Sequence, residues 1–344
     1  MAVIDLLNLE ATTYVKSLKG QKIMIYGDNN LGKTRQSMNF NKPLLLMTES
    51  GGTALNGHKV GIDSWSTFNS VVSQLTGKHK DKMQEKFETI IIDTIEELVF
   101  LNEQSIATQY SVNDVGEMSA IKGAPNGYSM SRSRFKVLIN TLTLAGYCVV
   151  FLSHMETIEK TNPKTGKVEN YVIPYGSNNV KSSMNYIRNL CDFVFYVSGN
   201  GIDEKGHPIM SSCYTQATNH AFARSRYIEM VPYIEEFTAD NIKEAIFNAI
   251  ESEAENQNGE VTTEFKSQKV SRDEERESLI KMLQPAYATL YKADPEFTMD
   301  VVAQYLGTGV RISEATNNDI SSLHAIYDTF METINSRKLE IDEE

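Results

Sequence analysis

The residues best suited to chemistry stand together early in the chain: Gly27, Asp28, Asn29, Asn30, Leu31, Gly32, Lys33 and Thr34. They follow the apolar run Lys22–Tyr26 and spell GxxxxGK[ST] in full. Each residue type there has a physical task in holding phosphate. Glycine admits positive φ and close backbone approach. Successive N–H groups can then converge on phosphate oxygens as a nest. A helix beginning near Lys33 would add its positive end. Lys33 brings a point charge to the β- and γ-phosphates, and Thr34 offers a hydroxyl to Mg²⁺. The expected ligands are ATP and Mg²⁺. The competing reading is a chance match in a Gly/Asn turn.

Three more polar residues stand at the ends of apolar runs. Asp93 closes Thr89-Ile90-Ile91-Ile92, the pattern of a Walker B strand whose acid holds Mg²⁺ through water. Glu49 follows Pro43–Met47 and precedes Gly51-Gly52, where it could orient a water for attack on the γ-phosphate. The bland alternative is a surface acid before a turn. His154 follows Tyr147–Leu152 and could sense the γ-phosphate, though a lone histidine also serves as a plain structural residue.

These positions need a scaffold of strands. Lys22–Tyr26, Pro43–Met47, Thr89–Ile92, Tyr147–Leu152 and Phe193–Val197 are short and apolar, as strands covered on both faces should be. Between them, Thr94–Tyr110 and Tyr128–Ala145 read as helices, the second with Phe135, Leu138, Leu142 and Ala145 at helical spacing. The alternation predicts an α/β fold with a mostly parallel sheet. Residues 234–252 read as one more helix, and three short helices follow Leu279. The expected organisation is a nucleotide-binding core over 1–250, a polar acidic linker over 251–278 and a small helical acidic domain over 279–344.

Composition sets the outer limits. Of 344 residues, 41% are hydrophobic and 23% charged, which excludes disordered, collagen-like and coiled-coil chains. No apolar run suits a membrane helix, and no basic leader with an apolar core precedes the first strand. Cys148, Cys191 and Cys213 form no CxxC pair, so a reduced cytoplasm is expected, with neither zinc nor disulfide. Net charge is −12, which argues against nucleic acid until it is resolved by region. Residues 251–344 hold 20 of the 45 acids and 9 of the 33 bases, so the rest of the chain is close to neutral. The acidic end could dock a basic protein partner or compete for basic loops elsewhere in the chain.

In their order along the chain, IYGDNNLGKT, LLLMTESGG, IIIDTIEEL and GYCVVFLSHMET resemble the motifs of RecA-type ATPases. The similarity is strongest to the phage-encoded RecA-like group of nucleotide-binding AAA proteins, which includes single-strand-annealing recombination ATPases, and it covers residues 20–232. It implies a RecA-like P-loop core, a catalytic-base role for Glu49 and a sensor role for His154. The segment AFARSRY followed by Pro232 is similar to the family's paired basic residues. By that resemblance Arg224 and Arg226 would reach a neighbouring subunit's γ-phosphate, which implies a homo-oligomer, ring or filament. The loop Asp28-Asn29-Asn30-Leu31 departs from the usual Gly/Pro/Ser-rich form, and affinity or rate would differ accordingly.

RecA-type proteins hold single-stranded DNA on two loops, here Ser111–Gly127 and Met155–Ser182. Arg132 follows the first. Lys160, Lys164, Lys167 and Lys181 lie in the second, with Tyr171 interleaved. Cations with aromatics suit sequence-tolerant single-strand binding. NPKTGK is equally an ordinary hairpin turn, with VENYVIPY as the return strand. The leading expectation is an ATP-dependent recombination or annealing protein in the host cytoplasm of a phage. The alternatives are a nucleotide-switched loader with little turnover and, more remotely, a small-molecule kinase.

Overall fold

A computed structural model describes residues 13–49, 55–162, 165–265, 273–316 and 319–341. In chain order the first elements are β1 (Tyr14–Val15), β2 (Lys22–Gly27), α1 (Lys33–Ser37), β3 (Pro43–Met47), β4 (His58–Gly61), α2 (Trp65–Thr76), α3 (Lys80–Lys86), β5 (Thr89–Asp93) and α4 (Ile95–Gln109). Then come α5 (Gly127–Ala145), β6 (Cys148–Ser153), β7 (Met155–Thr161), β8 (Val168–Pro174), α6 (Ser183–Leu190) and β9 (Phe193–Ser198). The last are β10 (Ser212–Tyr214), β11 (Arg224–Ser225), β12 (Tyr233–Ile234), α7 (Ala239–Asn256), β13 (Val261–Thr262), α8 (Asp273–Ala293), α9 (Pro295–Leu306) and α10 (Ile320–Arg337).

The chain divides into two compact units that interleave in sequence. The first takes residues 1–60, 88–96 and 146–268, and the second takes 61–87, 97–145 and 269–344. This differs from the linear order of core, linker and C-terminal domain expected from composition. Polarity along the chain reports exposure, and it carries no record of which distant segments share a core. The expected linker differs as well. Its first residues finish α7, and Val261–Thr262 pair in parallel with Tyr14–Val15.

The main sheet of the first unit has the order β12-β10-β9-β2-β6-β5-β3-β4, with β11 also pairing β9. The five strands from β9 to β3 run parallel. Their central residues, such as Ile23, Leu45, Ile91, Val150 and Phe195, are fully buried, which explains why each reads as an unbroken apolar run. The antiparallel strands β10, β11 and β12 widen the β9 side. This is an α/β fold with a mostly parallel sheet, as expected. Register fixes what the carboxyl ends present. Tyr26 lies level with Ser153 and Tyr196, Leu152 with Asp93, and Asp93 with Met47. Glu49, Asp93, His154 and the phosphate loop therefore emerge at one end of the sheet.

Cys148, Cys191 and Cys213 are free and buried, and burial pushes each thiol far above its ordinary range. Among the described residues, no helix is long and apolar enough to cross a membrane.

In the second unit, α10 packs on α8, α9 and α2 around Leu283, Leu290, Leu323, Ile326 and Phe330. Helix α2 was not foreseen. It contributes Trp65, Phe68, Val72 and Leu75, all buried, and Ser64 caps it by accepting the Thr67 N–H. Beside this core lies a buried polar knot. Asp328 accepts from Asn69 Nδ2, from Gln109 Nε2 at 3.2 Å and from Arg134 Nη2 at 3.3 Å. Its side chain is 3% exposed, so losing the guanidinium would strand a buried carboxylate. Arg134→Met is therefore expected to cost about 3 kcal/mol of stability, read as a lowered urea midpoint. Asp328→Asn introduced into that variant should recover part of the loss.

Candidate nucleotide site

The phosphate loop begins where β2 ends. Gly27 has φ 157°, and a Cβ there would fall 2.4 Å from the Val197 carbonyl oxygen, so only glycine fits. Asn30 and Gly32 are left-handed, at φ 60° and 81°. Two left-handed residues within one short loop turn its backbone sharply ahead of Lys33, as a phosphate nest requires. Helix α1 is only five residues long, so its dipole is a small part of the site. The loop N–H groups and Lys33 carry the attraction instead.

Lys33 Nζ donates to the carbonyl oxygens of Gly27 at 2.9 Å and Asp28 at 2.7 Å. Burial lowers its pKa, against the opposing pull of Asp93, Glu96, Asp28 and Glu49. An incoming anion would offer this half-buried ammonium better partners than two neutral carbonyls. Thr34 Oγ1 donates to Asp93 Oδ2 at 2.8 Å, tying the loop to the end of β5 across the intervening strand β6. Burial raises the Asp93 pKa, the Thr34 hydrogen bond lowers it, and the Glu49 charge raises it again.

A second ladder of bonds joins β3 to β5. Thr48 Oγ1 donates to the Thr94 carbonyl at 2.9 Å and accepts the Thr94 N–H at 2.8 Å. Thr94 Oγ1 donates to Glu49 Oε1 at 2.8 Å, which fixes one oxygen of an otherwise exposed carboxylate. Thr94 thus orients Glu49.

His154 does not stand alone. Glu96 Oε1 accepts its backbone N–H at 2.8 Å and lies 2.6 Å from its Nδ1. Glu96 Oε2 is buried without a partner among the described residues. Just beyond His154 the β7–β8 hairpin begins, and the Tyr175 N–H donates back to the His154 carbonyl at 3.0 Å. Glu96 therefore ties the start of α4 to His154, whose carbonyl in turn holds the return end of the hairpin. Sequence showed it only as an acid after the Asp93 strand.

The remaining expected residues fall elsewhere. Arg224 and Arg226 lie at the amino end of β9, level with Val194 and Asp192. At about 3.3 Å per residue, that is roughly 15 Å of strand away from the phosphate-loop end of the sheet. Arg226 Nε pairs with Asp192 Oδ1 at 2.7 Å, and Asp192 also holds the Lys22 backbone N–H at 2.8 Å. Neither arginine faces the phosphate loop of its own chain. Tyr171 is 7% exposed, with Lys160 Nζ 4.1 Å above its ring, so it offers no free stacking face and departs from the expected platform. Lys160 and Lys167 are exposed on the hairpin. Lys181 follows it, its N–H bonded to Asn179 Oδ1. Lys164 lies outside the described residues. Arg132 belongs to α5 of the second unit, where Nη2 donates to Ser129 Oγ at 2.8 Å.

A family model for an AAA domain matches residues 19–227. The chain belongs to this family of P-loop ATPases. It is also 32% identical over 333 residues to SPbeta prophage-derived uncharacterized protein YorG of Bacillus subtilis (strain 168). That alignment covers 94% of this chain and 97% of the relative, so the likeness runs past the AAA domain into the C-terminal helices.

The AAA domain's donor set suits a magnesium nucleotide. Among the described residues, no three His, Cys, Asp or Glu side chains cluster as a metal cage. One carboxylate and one hydroxyl suit Mg²⁺, which keeps most of its waters and takes phosphate oxygens from its substrate.

Proposed function

We propose that this chain is an ATPase that couples hydrolysis to single-stranded DNA in phage-type recombination or annealing, working as a homo-oligomer. The observation that carries the nucleotide half is the Thr34–Asp93 hydrogen bond, with Lys33 and Glu49 among the charges acting on it. In this reading Gly27–Thr34 bind the triphosphate, and Lys33 exchanges the two loop carbonyls for phosphate oxygens. Thr34 and Asp93 hold Mg²⁺, which supplies charge neutralisation at the phosphates. Glu49, oriented by Thr94, positions the attacking water and takes its proton as the γ-phosphoryl group leaves ADP. His154 signals through Glu96 to the 155–174 hairpin, where Lys160 and Lys167 meet the DNA backbone. Arg224 and Arg226 serve a neighbouring subunit, which agrees with their distance from the home site.

A nucleotide-switched loader with slow turnover is the second reading. The His154–Glu96 lock favours it, because a lock at the sensor can report binding without hydrolysis. Steady-state ATPase with and without single-stranded DNA separates the two. The first reading expects DNA to raise kcat several-fold and Glu49→Gln to lower it about 1,000-fold with little change in ATP affinity. DNA-independent turnover that survives Glu49→Gln would sink both the DNA coupling and the role of Glu49. Negligible turnover with tight ATP binding, together with altered protease cleavage in the hairpin, would favour the loader.

A further inference from the structure

A second hairpin, Gly199–Ser211, leaves β9 beside the phosphate loop. Its stem is closed by Asn200 Nδ2 to the Met210 carbonyl at 2.7 Å and by the Ile209 N–H to the Gly201 carbonyl at 3.0 Å. It is fastened to the loop at Leu31. Ser211 Oγ donates to the Leu31 carbonyl at 3.3 Å, and a Cβ on Gly199 would approach Leu31 Cδ2 to 3.0 Å.

The turn at its tip satisfies itself with polar groups. Asp203 Oδ1 accepts the N–H groups of Lys205 and His207. Near the stem, however, stand three large apolar side chains, Ile202, Ile209 and Met210, exposed by 68%, 45% and 46%. None of them belongs to the core of this unit. Exposed apolar groups gathered on one short loop call for an occupant.

We propose that this hairpin is the nucleoside wall of the site, with Ile202, Ile209 and Met210 seating the base of a bound nucleoside triphosphate. The inference rests on the phosphate-loop reading and extends it from the phosphates to the base. A triphosphate anchored on Gly27–Thr34 must carry its ribose and base over whatever adjoins that loop, and this hairpin is bonded to it. Ring-binding sites are mostly apolar with few polar contacts. The amide most at hand, Asn200, is already engaged, with its Nδ2 on Met210 and its Oδ1 3.2 Å from Ser212 Oγ. An apolar seat without a free hydrogen-bonding group rewards contact area and discriminates weakly by base edge. ATP and GTP should therefore bind alike, and both more tightly than CTP or UTP.

Calorimetric titration of the full chain with ATP, the other three nucleotides and inorganic tripolyphosphate tests this. Ile209→Ser/Met210→Ser is expected to weaken ATP about ten-fold, leave tripolyphosphate unchanged and flatten the purine preference. Ile209→Leu/Met210→Leu should retain wild-type affinity. An unchanged ATP affinity in the serine variant, or an equal loss for ATP and tripolyphosphate, overturns the proposal. If sedimentation mass falls while ATP affinity holds, the residues contact another copy of the chain and the proposal likewise fails. Wild-type protein that binds neither ligand overturns the phosphate-loop reading itself, a result distinct from the others.

Discussion

Replacing Lys33 with alanine is expected to lower kcat/KM for ATP by about 1,000-fold. The ammonium sits within the combined field of Asp93, Glu96, Asp28 and Glu49, and it is the cation drawn into that group. Without it, a triphosphate would meet those carboxylates without the phosphate loop's own cation. Arginine should not restore activity, because a planar fork cannot fill the pocket of a compact point charge capped by the Gly27 and Asp28 carbonyls. Titration with ATP should show the loss in binding as well as in turnover. Turnover surviving at a tenth of wild type or more would mean that the phosphates lie elsewhere.

Asp93→Asn carries the second large effect, and it acts in two directions. Magnesium-dependent turnover should fall about 100-fold or more, since the amide offers no charge to the metal. The unliganded protein should become more stable. The carboxylate is held above its ordinary pKa chiefly by burial, so its charged form is penalised in the folded state. The sign follows from linkage. A folded pKa above the unfolded one means the folded chain takes up a proton first as pH falls. The penalty is present in full above the folded pKa and is relieved on acidification through it. The wild type should thus lose part of its stability deficit against Asp93→Asn as pH is lowered toward the carboxylate range. A higher melting temperature at neutral pH together with lost turnover is the expected pairing. A lower melting temperature would show that the Thr34 bond outweighs the burial cost.

Much of the sheet was legible because its strands are buried on both faces. Pro43–Met47 was read to the residue, and Lys22–Tyr26, Thr89–Ile92 and Phe193–Val197 each fell one residue short at the functional end. Those ends are the places where an apolar run gives way to Gly27, Asp93 and Ser198, so hydropathy fades where the chemistry starts. The phosphate loop was legible for a different reason, since a nest before a lysine tolerates few spellings. Partnerships were not legible. Nothing near Glu96 in sequence points to His154, fifty-eight positions on, and only the parallel pairing of β5 and β6 brings them together. Tyr171 failed as a platform for a related cause. Alternation along β8 places an aromatic among cations but leaves open which face is covered. Helix α2 shows Trp65, Phe68, Val72 and Leu75 at helical spacing, yet its partners on α10 lie more than 240 residues later.

That last separation bears on how the protein is made. The second unit draws its walls from 61–87, 97–145 and 269–344, so its core cannot close until the final helices have left the ribosome. Through most of synthesis, Trp65, Phe68 and Phe135 would wait without the layer that later covers α2, a window in which a nascent chain is open to chaperones or to aggregation. A stop codon or cleavage before Leu279 would do more than shed an acidic appendage. It would leave the middle of the chain half-built.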